Sequence, residues 1–257
     1  MEDAGARRRA RPLVRGARGG ARLNRHLEWQ GCFNVRDLGG LRTGDGRATR
    51  FGRIVRADAL DGLTEAGWAA LEAYGVRTVI DLRNDDERGE DAAPRPASIR
   101  TRHVPLDASD DREFWDVWGS GPQFGTPLYY APHLERFPER SAAVLSAIAR
   151  AAPGGVVFHC GGGRDRAGQI AMLVLALAGV EPEAIAADYE LSAERLPARY
   201  AARGEHDQGP LLAGYLAERD TTAGALIVST LAGLDVEARL ALTSPDAERL
   251  RRRLLDP

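Results

Sequence analysis

Apolar and polar positions along this chain switch between a period of two and a period near 3.6, so short strands are separated by helices. Residues 51–57 (FGRIVRA) read as a short strand. A helix follows, capped by Thr64 and stopped by Gly75, with Ala66, Ala69, Ala70 and Ala73 at helical spacing and Trp68 and Leu71 beside them. Residues 76–82 (VRTVIDL) are β-branched and end in charge, which predicts a buried strand; 99–104 is a weaker one. Residues 107–135 hold Trp115, Trp118, Phe124, Tyr129 and Tyr130 without a clear period. They read as irregular chain, either core beneath a long loop or the wall or lid of a pocket. A helix over 138–152 is stopped by Pro153-Gly154-Gly155, and residues 156–159 (VVFH) form a short strand that runs straight into Cys160. Residues 168–178 predict an apolar helix buried on most sides. Further helices fall at about 182–195, 209–219, 222–233 and 245–255, the last opened by Ser244-Pro245-Asp246. Strands alternating with helices predict an α/β fold, a parallel central sheet with helices on both faces.

Composition narrows what such a body can be. The chain has 257 residues, 44% hydrophobic and 28% charged, an ordinary globular balance. All 35 basic residues are arginine, which excludes a lysine Schiff base and a lysine-bearing phosphate loop. Cys32 and Cys160 are too few for a disulfide scaffold or a four-cysteine zinc site. The five histidines show no ligating spacing, so no metal and no cofactor is expected. The longest apolar run, 170–180, falls far short of the roughly 20 residues a membrane span needs.

Charge is unevenly placed. Residues 1–26 hold eight Arg against Glu2 and Asp3, a net of 8 − 2 = +6, which leaves 27 Arg against 35 acids, −8, for the rest. The first stretch has almost no large apolar residue and reads as a disordered tail, either a plain solvated terminus or a basic arm for nucleic acid or anionic lipid. It lacks the apolar segment of a secretory signal. The expected organisation is this tail, 1–26, and one domain, 27–257, located in the cytoplasm, with export by a signal-independent route left open.

The chemistry concentrates in one loop, His159-Cys160-Gly161-Gly162-Gly163-Arg164-Asp165-Arg166-Ala167-Gly168, set between a buried strand and a helix. Gln169 and Ile170 exclude a Walker loop, and Arg166 stands where a dinucleotide fingerprint starting at Gly161 needs glycine. What remains is cysteine, five residues and arginine. A loop of that length can turn its N–H groups onto one phosphate, with the following helix adding its own donors and dipole. The same field favours a nucleophilic thiolate at Cys160. Arg166 can close the cup with a planar fork on two phosphate oxygens. Gly161, Gly162 and Gly163 keep side chains away from the phosphate and allow positive φ. Arginine is abundant here, so the spacing gains its meaning from context: strand end, glycines, apolar helix. Cys32 has no such setting and reads as a structural thiol.

HCGGGRDRAG resembles the signature of protein tyrosine phosphatases, and more narrowly the bacterial branch with an HCxxGKDRTG loop. Other segments resemble that branch in order: residues 34–40 (NVRDLGG), 56–60 (RADAL), 75–83 (GVRTVIDLR) and 188–192 (DYELS). The resemblance covers about 28–255 and implies a phosphatase-type α/β domain acting on phosphotyrosine, with phosphoserine, phosphothreonine or phosphoinositides as further substrates. It implies Cys160 as the nucleophile that takes the phosphoryl group, Arg166 as the phosphate and transition-state ligand, and Gly161 to Arg166 as the phosphate cradle. Asp165 is the favoured general acid. Asp81, at the carboxyl end of a strand, is the rival, or else simply an ion-pair partner of Arg36 or Arg83. His159 is expected to brace the loop base.

Two departures stand out. Arg164 replaces the usual Lys, and Ala167 replaces a Thr or Ser whose hydroxyl, in the family, helps the thiolate leave phosphocysteine. Slow breakdown of the phosphoenzyme follows as an expectation, and a non-catalytic phosphate-binding protein as an alternative. A rhodanese-like sulfurtransferase fits less well because the distant segments all resemble phosphatases. The expected partner is a phosphorylated protein or a phosphoinositide, and a nucleic acid is not expected.

Overall fold

The computed structural model describes residues 25–255. The Arg-rich stretch assigned to 1–26 therefore lies outside the described residues except for Arg25 and His26, which are tied into the fold: Arg25 donates to the Asp188 carboxylate at 2.7 Å, and His26 forms an isolated bridge with Arg36.

Five strands, β1 (Arg36–Asp37), β2 (Ile54–Ala57), β3 (Val76–Asp81), β4 (Arg100–His103) and β5 (Gly155–His159), form one sheet in the order β1-β2-β5-β3-β4. β2, β5, β3 and β4 run parallel, while β1 joins β2 antiparallel. The parallel centre is the one the pattern predicts. The sheet as a whole is mixed, because the two-residue β1 is too short to leave a periodic signal and enters through its hydrogen bonds to β2.

Among the described residues ten α-helices surround the sheet: α1 (Glu65–Ala73), α2 (Arg112–Trp118), α3 (Tyr130–Arg136), α4 (Pro138–Ala149), α5 (Asp165–Leu177), α6 (Pro182–Arg203), α7 (Gly209–Ala217), α8 (Ala223–Leu231), α9 (Val236–Arg239) and α10 (Ser244–Leu254). The pleat sorts the strands' side chains. Val55, Val79 and Val157 face Trp68 and Leu71 of α1, whereas Ile54, Ile80, Val156 and Phe158 face α4 and α5. Central strands buried on both faces explain their continuous apolar runs.

Three departures from the sequence reading have physical causes. Residues 107–135 are not irregular but hold α2 and α3, whose aromatic residues pack edge to face around Phe114, Tyr129 and His133. Tyr129 and Tyr130 are fully buried, so this cluster is core. Helix α5 begins at Asp165, three residues earlier than the apolar pattern suggests, because its first turn carries charge for the site. Helix α6 runs through Pro197 to Arg203 and ends on Gly204 in the left-handed region, φ +64°.

Candidate active site

Parallel strands bring their carboxyl ends to one edge, and the loop from Cys160 to Arg166 leaves β5 at that edge. The loop's outer wall is built from carbonyls, each with a donor. Asn34 Nδ2 donates to the Gly162 carbonyl at 2.9 Å, the Ala59 amide to Gly161 at 3.1 Å, and Arg56 Nη2 to Gly163 at 2.8 Å and Arg164 at 3.1 Å. Among the described residues, the amides of Gly161 to Asp165 donate to no protein group. Carbonyls held outward and amides without partners, followed by the first turn of a 13-residue helix, make an anion cup.

Of the three glycines, Gly163 is the one geometry demands. Its φ is +68°, and a Cβ there would lie 2.6 Å from the backbone of Ala57 and Asp58. Gly161 and Gly162 do not have positive φ, and a Cβ on either would meet only side-chain atoms, no nearer than 3.8 Å. Gly168 has another role: a Cβ would strike the Tyr130 hydroxyl at 2.5 Å and the Tyr189 ring at 2.9 Å. Tyr130 in turn donates its hydroxyl to the Asp165 carbonyl at 2.6 Å, fixing the start of α5.

The distant segments NVRDLGG, RADAL and DYELS meet behind the loop. Asp188 is fully buried and accepts from Arg56 Nη1 at 2.8 Å, Arg36 Nε at 3.2 Å and Arg25 Nη1 at 2.7 Å. Burial opposes its charge, but Arg36 and Arg56 overcome it and hold the carboxyl well below its usual range. Burial, with Arg56 close by, pulls Arg36 down to about 9. Arg56 thus links this ionic hub to the two loop carbonyls. Asp58 accepts the amides of Phe33 and Asn34 and the Cys32 thiol, at 2.7 Å. Burial and the Asp58 charge push the Cys32 thiol up, in keeping with a structural role.

Inside the cup, Cys160 is buried at the base and Arg166 lies over it in the first turn of α5. Glu87 grips the Arg166 guanidinium with both oxygens, and Asp107 Oδ2 lies 3.2 Å from Arg166 Nη1. Burial works against the guanidinium charge, yet the Glu87 hydrogen bonds and the charge on Cys160 hold its pKa above the usual arginine range. Glu87 is itself positioned by the Asn84 amide at 2.8 Å.

The model of the tyrosine phosphatase family matches residues 27–256. The chain belongs to that family. The chain is similar to the triple specificity protein phosphatase PtpB of Mycobacterium tuberculosis, 29% identical over 199 residues that take in 66% of this chain and 70% of that protein. A Nostoc commune tyrosine-protein phosphatase is 33% identical over 161 residues, 61% of this chain and 54% of that one. The solved structure of P. aeruginosa TpbA covers 74% of this chain and 84% of its own at 20% identity, with a TM-score of 0.34.

Around this tyrosine phosphatase loop three aspartates differ sharply. Asp81 is locked to Arg83, Nε to Oδ1 at 3.0 Å and Nη2 to Oδ2 at 2.9 Å. Burial opposes its charge, but the Arg83 hydrogen bonds prevail and lower its pKa. Asp165 sits in the loop as expected, its carboxylate taken by Arg164 at 3.0 and 3.3 Å. Asp107, missed from sequence, is buried with Oδ1 unpartnered among the described residues, and burial raises it to about 6 against the pull of Arg166. The rule that singled out Asp81 applies equally to Asp107, which follows β4 at the same sheet edge; the weak β4 signal hid it. Trp115 steadies this turn, donating its indole N–H to the Ala108 carbonyl at 2.8 Å. His159 is fully buried and lowered to about 4, chiefly by burial; its Nδ1 lies 3.5 Å from the Cys160 carbonyl, at the base of the loop.

Proposed function

We propose that the protein hydrolyses phosphotyrosine monoesters through a phosphocysteine on Cys160. The cup carries this reading: a buried cysteine, a loop of unpartnered amides and Arg166 in the first turn of α5 stand together in one strand-to-helix loop. In the first step the Cys160 thiolate attacks phosphorus, an S–P bond forms and the P–O bond to the leaving oxygen breaks. That oxygen takes a proton from an acid. In the second step water attacks phosphorus, gives its proton to the same carboxylate, and the S–P bond breaks to release inorganic phosphate and the thiolate. The amides and Arg166 hold the equatorial oxygens throughout.

We assign the acid to Asp107. It is buried, has a free oxygen, lies next to Arg166 and is protonated up to about pH 6. Asp165, inside the loop, is the rival; its carboxylate would first have to leave the Arg164 fork. Asp81 is committed to Arg83 and has a structural part.

An apolar pocket of about 250 Å³ adjoins Arg164 and is lined by Tyr189, Leu196, Tyr200, Leu212 and Leu216. It offers an aryl group a dry surface beside the phosphate site and supports phosphotyrosine as the first substrate. A relative named for triple specificity keeps esters other than phosphotyrosine in the comparison. A panel of phosphotyrosine peptide, phosphoserine peptide and phosphoinositide at one enzyme concentration tests the reading. The largest kcat/KM belongs to phosphotyrosine; a larger value for phosphoinositide would make the lipid ester the substrate class.

A further inference from the structure

The pole opposite the cup holds a second concentration of charge that the catalytic reading leaves unused. Because β2 and β5 run parallel, their carboxyl ends lead to the Cys160 loop, while their amino ends, at Ile54 and Gly155, open on the other side of the sheet. There Arg50, Arg53, Arg249, Arg252 and Arg253 line one concave pocket of about 290 Å³, with no carboxylate in its wall.

A simpler account would have the arginines of α10 complement the negative end of that helix. It covers Arg252 and Arg253, in the last turn. It does not cover Arg50 and Arg53, which arrive from the chain before β2. That segment is pinned in place: the Arg50 amide donates to the Leu254 carbonyl at 2.7 Å, and the Arg53 carbonyl accepts from the Val156 amide at 3.0 Å. Arg253 is anchored on the Gly154 and Ala151 carbonyls at 2.7 Å each. Neither Arg53 nor Arg253 has a carboxylate partner among the described residues. Burial and the nearby Arg53 lower the Arg253 pKa, so the two repel each other across the pocket. Arg252 pairs with Glu248 at 3.3 Å on exposed helix surface, where such pairs are worth little, whereas the half-exposed Arg249 pairs at 3.0 Å with the buried Asp246.

We propose that this pocket binds a compact anion carrying two or more phosphate groups, at a site separate from the cup. Several planar forks from two segments suit phosphate geometry; the Arg253 fork is held on backbone carbonyls and the main chain at Arg53 is pinned, and neither guanidinium has a carboxylate partner among the described residues. The remaining wall is Ala149, Pro153 and Gly154, with no aromatic face on which a base could stack, which favours a phosphorylated polyol over nucleic acid.

Calorimetric titration of inositol hexakisphosphate into the full chain and into Arg53→Ala/Arg252→Ala tests this. The parent binds, affinity falls with added salt, and the double variant binds at least about tenfold more weakly. Ligand-free p-nitrophenyl phosphate turnover is the same in both proteins. Arg252→Glu alone, on an exposed last turn, gives the same direction should the double variant melt early. Vesicles of phosphatidylcholine with and without phosphatidylinositol bisphosphate identify the source: added retention by the bisphosphate vesicles, lost in the variant, means a lipid headgroup, and binding of the soluble probe alone means a free metabolite. No binding, undiminished binding by both variants, or tighter binding of a duplex oligonucleotide overturns the proposal.

Discussion

Replacing Asp107 by Asn gives two predictions of different kinds from one environment. The side chain is 6% exposed, and burial lifts it from 3.8 to about 6. One pK unit is worth about 1.4 kcal/mol, so ionised Asp107 costs the folded protein about 3 kcal/mol at neutral pH. Its folded value lies above its unfolded one, so stability is fully present below about pH 4 and is lost as pH rises through about 6. Asn cannot ionise. Asp107→Asn therefore melts near the parent at about pH 4 and above it at about pH 8, by at most about 3 kcal/mol, a figure that already contains the attraction of Arg166. Catalysis moves the other way. Loss of a general acid lowers kcat by about 10²–10⁴. The loss is larger with phosphotyrosine, whose leaving oxygen is strongly basic, than with p-nitrophenyl phosphate. The parent's kcat falls above about pH 6 as the acid deprotonates, and the variant lacks that alkaline limb. Stopped-assay kinetics from pH 4 to 8 and thermal melts at both ends give these readings. An Asp107→Asn enzyme with parental kcat and an unchanged pH profile refutes the assignment, and a matching loss in Asp165→Asn would transfer the role to the loop acid.

Other substitutions test the scaffold. Ala167 is fully buried; the parent shows a rapid-quench burst of p-nitrophenol, and Ala167→Thr shrinks it while raising steady turnover. No burst in the parent, together with unchanged turnover in the variant, removes that idea. Gly163→Ala forces a Cβ to 2.6 Å from backbone at φ +68°; it destabilises by more than about 1 kcal/mol in denaturant titration and abolishes turnover. Asp81→Asn strips Arg83 and Arg88 of a partner; it lowers the melting temperature but leaves the shape of the pH–rate profile intact.

Much of this site was legible because the sequence concentrates it. The Cys160–Arg166 loop, its flanking strand and the apolar body of α5 are contiguous, so local pattern and spacing suffice. What escaped is assembled from distant segments. Glu87 and Asp107 follow the ends of β3 and β4 and meet Arg166 only through the parallel register. The joining of Arg56 to Asp188 and to the loop carbonyls spans more than a hundred residues. The family segments were visible as motifs, but their common purpose, holding carbonyls outward so that amides face an anion, needs the fold. Helices α2 and α3 escaped for a different reason: each is seven residues long, about two turns, too short for its one buried side (Phe114 in α2; Tyr130, His133 and Leu134 in α3) to stand out as a period.

The central claim is that Cys160 carries the phosphoryl group. Hydrolysis of p-nitrophenyl phosphate by the parent and by Cys160→Ser, at matched concentration and fold, tests it most directly. The account predicts turnover by the parent and none above background in the variant; activity that survives in Cys160→Ser would contradict it.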